Sequence, residues 1–271
     1  MKTKKINRHD GRRALILIAV LAVFGALAVA TAVTYGKLRD LWVEQCVITD
    51  PVAQIEITAG RRLKPDTVRE LFGLREGANL ALIDFAAKRE EALKRYPVIK
   101  SISVERRLPS GVGIAIIERE PFAKIRPRDA KQPTGLVCDE EGVVFSCRRG
   151  AEMLPVIREA ASGVHPGERL EGRGRAALEV LKAAREGDCS NLTILEIDST
   201  KSDYLLITLS NYSAVKFRWE GMEKPSPSAD AAMRSQLRKV AQTIAANLQP
   251  GTRIWNATQP DIISGDLNGR N

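Results

Sequence analysis

Residues 14–35 read ALILIAVLAVFGALAVATAVTY, a run of 22 with no charged side chain and no proline. A helix rises 1.5 Å per residue, so the run is long enough to cross a hydrocarbon core of about 30 Å. A helix also satisfies its own backbone hydrogen bonds in lipid. The run divides the chain into a head, 1–13, and a body of 236 residues. The head carries Lys2, Lys4, Lys5, Arg8, Arg12 and Arg13 against Asp10, so over half of the net charge of +9 sits there. Basic residues collect on the cytoplasmic side of a span, which predicts the N-terminus inside and the body outside. A cleaved signal peptide shares the basic head and the small-residue sites Ala28-Val29-Ala30 and Ala30-Thr31-Ala32. The apolar run is longer than such leaders need, and we read it as a retained transmembrane helix at 14–35, followed by a connector at 36–49.

The body is large enough for two modest domains. Once the head is set aside, little basic excess remains, and the aromatics do not interleave with a basic run, so a nucleic-acid groove is not expected. Cys46, Cys138, Cys147 and Cys189 lack metal-ligand spacing. Cys138 and Cys147 flank an expected hairpin in which Cys138 faces Val143, so a direct bridge between the two is not expected.

Within 50–125 the alternation in Ala53–Ala59 predicts a strand, with Ile55 and Ile57 on one face. Pro65 opens a short helix that carries Val68, Leu71 and Phe72 and ends at Gly73. Asp84 is placed to cap a second helix with Phe85, Ala92, Leu93 and Tyr96 on one stripe, stopped by Pro97. Strands follow around Ile102–Val104 and Val112–Ile116. The order is β-α-α-β-β, a small α+β domain.

Four pieces of this region, IEITAG (55–60), EGANL (76–80), YPVIKSISVERRLP (96–109) and IAIIEREPFA (114–123), resemble the POTRA domain of the bacterial division family FtsQ/DivIB. The basic head and single span before them match the layout of that family.

The second body domain is expected over 126–260. A hairpin turns at Asp139-Glu140-Glu141-Gly142, where D-x-x-G-x-x-F followed by Leu154-Pro155 again resembles the family. A helix with Ala177, Leu178, Leu181 and Ala184 on one face comes next, then an antiparallel meander of Leu192–Ile197, Tyr204–Leu209 and Ala214–Trp219. The family usually places Gly after Asn211, where this chain has Tyr212. A two-residue primed turn needs positive φ, which Tyr resists, so a longer or differently shaped loop is expected. Ser226-Pro227-Ser228 caps a helix buried along Met233, Leu237, Val240, Ile244 and Leu248. A last strand, Arg253–Ala257, precedes a polar tail, 261–271. The fold class is α+β: a transmembrane helix, the POTRA domain and a second α+β domain built on an antiparallel sheet.

No residue set points to catalysis. His9 lies in the head and His165 is alone in a Gly/Pro loop, and the serine, P-loop, zinc and dinucleotide motifs are absent. Glu118 and Glu120 beside Arg119, and Asp139 to Glu141 in a turn, are read as solvated acids rather than a glycosidase pair. No catalytic, cofactor or metal residue is assigned, and no small-molecule substrate is expected. The resemblance implies a non-enzymatic adaptor at the division septum of the cytoplasmic membrane. Its implied partners are FtsB- and FtsL-like proteins and, indirectly, the septal peptidoglycan synthase complex. FtsB adds to the last part of the second domain in that family. Carried onto this chain, contact is expected on Arg253, Ile254, Trp255 and Asn256, read as an edge strand, and more weakly on Phe217 and Trp219. Trp42 is expected at headgroup level. The alternatives are a polypeptide-binding POTRA protein of envelope transport and a cell-wall hydrolase.

Overall fold

The computed structural model describes residues 8–271 except 160–162, 187–188, 190–191, 223, 225, 247–250, 261 and 267–271, with side chains from residue 21 onward. The first helix, α1, runs Arg8–Gln45 without interruption, 38 residues or about 57 Å. It is long and apolar enough to cross a membrane. The expected connector is therefore helical as far as Gln45. A single glycine, Gly36, does not break a helix, and Lys37–Gln45 is rich in strong helix formers.

By compactness the chain divides into Met1–Arg89 with Ile102–Ile116, and Glu90–Ser101 with Ile117–Asn271. In the first unit the end of α1 is tied down directly. Asn79 Nδ2 donates to the Val43 carbonyl at 2.8 Å. Leu80 N–H donates to Cys46 O, Ile48 N–H to Ala78 O and Gly77 N–H to Ile48 O, each at 2.9 Å. A one-turn helix, α2 (Pro51–Gln54), is capped by Asp50, whose Oδ1 accepts from Val52 and Ala53. Next in chain order are β1 (Ile55–Thr58), α3 (Pro65–Phe72), α4 (Phe85–Arg95), β2 (Ile99–Arg107) and β3 (Gly111–Glu118). The sheet order is β1-β3-β2, with β1 parallel to β3 and Ile55 opposite Val112. Val68, Leu71 and Phe72 of α3 are buried, and Phe72 stacks on Phe85 at 6.2 Å. Gly73 closes α3 in the left-handed region, and Asp84 Oδ1 accepts from Ala86 and Ala87, as the sequence suggests.

The second unit carries a nine-stranded sheet. Its strands are β4 (Ala123–Pro127), β5 (Leu136–Cys138), β6 (Val144–Ser146), β7 (Val156–Glu159), β8 (Ile194–Asp198), β9 (Leu205–Leu209), β10 (Ala214–Phe217), β11 (Ile254–Gln259) and β12 (Ile262–Asp266). Helices α5 (Gly172–Arg185) and α6 (Pro227–Ala246) lie between β7 and β8 and between β10 and β11. The order is β12-β11-β10-β9-β8-β7-β4-β5-β6. The sheet is mixed, not antiparallel as expected: β8–β9–β10 is the meander, but β4–β7, β7–β8 and β10–β11 are parallel. A helical crossover returns the chain to the same end of the sheet, which makes the flanking strands parallel. Ile157, Leu178, Ile197, Leu205 and Phe217 form the fully buried centre. The α6 stripe of Met233, Leu237 and Val240 is buried with Ile244 packed beside it, while Leu248 lies outside the described residues.

Cys138 is opposite Val144, one residue from the expected Val143, because Asp139 N–H bonds Val143 O and closes the turn there. All four cysteines are free and buried. Burial, then the neighbouring Asp139 charge, pushes the Cys138 thiol up to about 12. The β9–β10 loop is a three-residue hairpin, with Leu209 N–H donating to Ser213 O. Tyr212 nevertheless takes φ +61°, the left-handed position where such loops favour glycine.

Gly174, in the first turn of α5, is required for a steric reason. A Cβ there would overlap the buried Glu159 carboxylate at the end of β7, which is seated against the positive end of the helix. Gly to Ala inside a helix normally gains about 1 kcal/mol. Gly174→Ala is expected to reverse that sign and cost about 1–3 kcal/mol, the range for overpacking, read from the urea midpoint. A neutral or stabilising result would show that the carboxylate moves aside freely.

Candidate functional site

The expected contact residues lie on β10, β11 and their flanks. Phe217, Trp219 and Trp255 are buried, with the Phe217 and Trp219 rings 5.6 Å apart. Ile254 is half-buried, and Arg253 and Asn256 are exposed. β11 is not the edge. It pairs with β10 on one side and with β12 on the other, with Trp255 opposite Gly265 and Asn256 opposite Ser264. The tail read as polar supplies the last strand. Gln259 pairs with Ile262, so only Pro260 and residue 261 intervene. Pro-Asp is a turn dipeptide, and Ile262-Ile263 after it was the available signal.

Backbone parity defines the exposed edge. Ala214 N–H donates to Arg253 O and Arg218 N–H to Ala257 O, so residues 253, 255 and 257 turn their carbonyls toward β10. Residues 254 and 256 then face β12, where Asp266 and Ser264 answer them. By the same alternation the backbone of Ile263 and Gly265 faces away from the sheet. Ile262, Ser264 and Asp266 carry their side chains on the exposed face, and Ile263 packs toward the core.

The opposite end of the sheet is partly covered. Val144 N–H donates to Glu168 O and Gly167 N–H to Val144 O, both at 2.8 Å, and Leu170 N–H donates to Gly142 O. Residues 167–170 therefore lie along 142–144 and shield the start of β6.

Beside the β10 and β11 carboxyl ends is an open cleft of about 870 Å³. Arg218, Lys224 and Lys239 line it together with Asp203 and Glu220, and Gln236 from α6 donates to Ala257 O. The cations can receive acidic side chains of an incoming segment, and the acids set limits on which.

The acids of the 139–141 turn are not all solvated, contrary to expectation. Asp139 is 5 % exposed. Its Oδ1 accepts from Glu141 N–H and Val143 N–H, and its Oδ2 meets Arg119 Nη1 at 2.5 Å. Glu141 pairs with Lys100 at 2.9 Å and Arg119 at 3.3 Å, which holds its carboxyl below the usual 4.5. This cluster fixes the turn, and its Arg119 comes from the E-R-E-P run noted in the sequence. Among the described residues no three His, Cys, Asp or Glu side chains group to hold a metal ion. His165 is exposed; its backbone N–H donates to Glu168 Oε2 and its carbonyl accepts from Glu168 N–H.

Comparison with known proteins agrees with this architecture. Residues 50–119 match the model of the POTRA domain, FtsQ-type. The cell division protein FtsQ of Corynebacterium glutamicum is 25% identical over 216 residues, 79% of this chain and 85% of that protein. FtsQ of Streptomyces collinus is 28% identical over 151 residues, 55% of this chain and 52% of that one. FtsQ of Neisseria meningitidis serogroup B is 37% identical over 71 residues, 26% of this chain and 27% of that one. An apolar N-terminal helix, an FtsQ-type POTRA domain and a mixed-sheet domain follow one another in this chain, which is similar to FtsQ cell-division proteins over most of its length.

Proposed function

We propose that this chain is a bitopic, non-enzymatic scaffold of the division machinery, with its head in the cytoplasm, α1 retained in the inner membrane and its body outside. It gathers FtsB- and FtsL-like partners at the septum and through them helps control septal peptidoglycan synthesis. The domain limits of 50–125 and 126–260 carry over, with the second domain lengthened to include β12. The observation that supports this reading best is the asymmetry of the nine-stranded sheet: residues 167–170 shield the start of the short strand β6, while β12 presents the backbone of Ile263 and Gly265 outward. Such an edge accepts a strand from another chain, with backbone bonds for affinity and neighbouring side chains for selection. The contact site expected on β11 moves accordingly to β12. Arg253 and Asn256 flank the added strand, while Trp255, Phe217 and Trp219 hold the sheet rigid behind it.

Gly265→Pro tests this. Proline is tolerated on an edge strand whose N–H faces solvent, so the fold should lose no more than about 1 kcal/mol. Capture of the FtsB-like partner by the purified body is expected to fall below detection, and a fluorescent fusion of the variant should still reach midcell only if recruitment uses the POTRA domain. Undiminished capture removes β12 as the site. Uniform envelope fluorescence of the wild-type fusion removes the divisome role.

A further inference from the structure

We propose that the outer end of α1 and the loop beside it form a membrane-surface patch, which seats the first unit on the anionic headgroup layer of the bilayer. This rests on α1 spanning the membrane. Ten helical residues continue past Tyr35, and they are not a neutral stalk. Leu38, Leu41 and Trp42 are 61%, 59% and 44% exposed. At about 100° per residue they share one face, with Lys37 and Arg39 at its two sides about 3 and 6 Å past Tyr35; Asp40 lies on the back, and Glu44, on the Lys37 side, lies about 13 Å out. An apolar face with cations at its sides near the bilayer and acids farther out suits the surface of an anionic membrane. At 1.5 Å per residue Leu38 lies about 5 Å, and Trp42 about 10 Å, beyond the apolar run. The headgroup layer is roughly 5–8 Å deep on each side; Leu38 falls within it, and the side chains of Leu41 and Trp42 lean back toward it because helical side chains tilt toward the N-terminus.

The POTRA side of the junction adds a matching element. Leu82 is 75% exposed, and its N–H bonds the carbonyl of Asn79, the residue whose side chain caps the α1 carbonyl at Val43. Cys46–Ile48 pairs with 77–80 without slack, so Leu82 keeps its position relative to the helix end. An apolar side chain held beside the outer end of the helix, about 12 Å past the apolar run, meets the headgroup layer when the helix tilts toward it. Lys37 and Arg39 reach lipid phosphates along their own stems.

The test uses the full chain reconstituted in vesicles of phosphatidylcholine and phosphatidylglycerol. A nitroxide is attached in separate samples to Leu82→Cys, Leu27→Cys and Ser103→Cys, the four native cysteines being buried. Power saturation is measured with lipid-dissolved oxygen and with an aqueous nickel chelate. The label at 82 is expected to show an oxygen-to-nickel ratio several-fold above that at 103 and on the same side as that at 27. A label at 82 as open to nickel as that at 103, with 27 in lipid, overturns the proposal and leaves the span intact. Shielding of 82 from both reagents also overturns it and assigns the patch to a protein contact. Nickel access at 27 defeats the spanning reading itself.

Discussion

Arg119→Ala is expected to lower the unfolding free energy by about 3–5 kcal/mol, the cost of breaking a buried ion pair by removing one partner. The Arg119 and Asp139 side chains are 13% and 7% exposed, so water cannot replace the guanidinium that Asp139 Oδ2 loses. Two turn amides still hold Oδ1, but the remaining charge is stranded in a low-dielectric site. Asp139→Ala is expected to cost a similar amount, since it removes the turn bonds as well. The double variant should cost clearly less than the two added together, because the stranded charge is gone. The measurement is urea unfolding of the four proteins. Additive losses would show that the pair is not coupled. The pH dependence has a fixed sign. Glu141 titrates below its usual 4.5 in the folded chain, because Lys100 and Arg119 favour its charged form. Its contribution is therefore complete above that usual value and is lost as pH falls through the lowered folded one. Acid unfolding of Arg119→Ala should show a shallower fall over that window.

Trp255→Ala is expected to cost about 3–5 kcal/mol, the usual range for truncating a buried aromatic. Trp255 is 5% exposed within the main core and sits between β10 and β12 in the sheet. An aspartate at the same position would also bury a charge in the core, so Trp255→Asp should fail to fold rather than lose partner binding selectively. Fluorescence-detected unfolding with a partner-capture assay on the folded fraction separates the outcomes. A stably folded Trp255→Ala that has lost partner capture would return the contact site to β11.

The contrast between these residues shows what the sequence made legible. Helices α3, α4, α5 and α6 were readable because their apolar spacing and caps, such as Asp84 and Gly73, are local. The POTRA order was readable for the same reason, strengthened by motifs in register. The rank of β11 in its sheet was not, because being an edge depends on whether a later segment pairs. β12 offers only Ile262 and Ile263 in a polar stretch, with one on each face. The parallel pairings escaped for a related reason: alternation reports which side chains are buried, not which way the neighbouring strand runs. Asp139 was read as solvated because turn acids usually are, and its burial depends on Arg119, which is distant in sequence. Tyr212 was half legible, since the longer loop was expected but its adoption of the glycine-like conformation was not.

The shielded start of β6 has a consequence for assembly. A sheet with two bare edges can pass strands from copy to copy and propagate as a fibre. Here residues 167–170 pair along the start of β6, which leaves β12 as the longer open edge among the described residues. Two copies that meet β12 to β12 make a contact that closes on itself and ends growth. Copies joined this way do not propagate, and a strand bound at β12 competes with a second copy for the same edge.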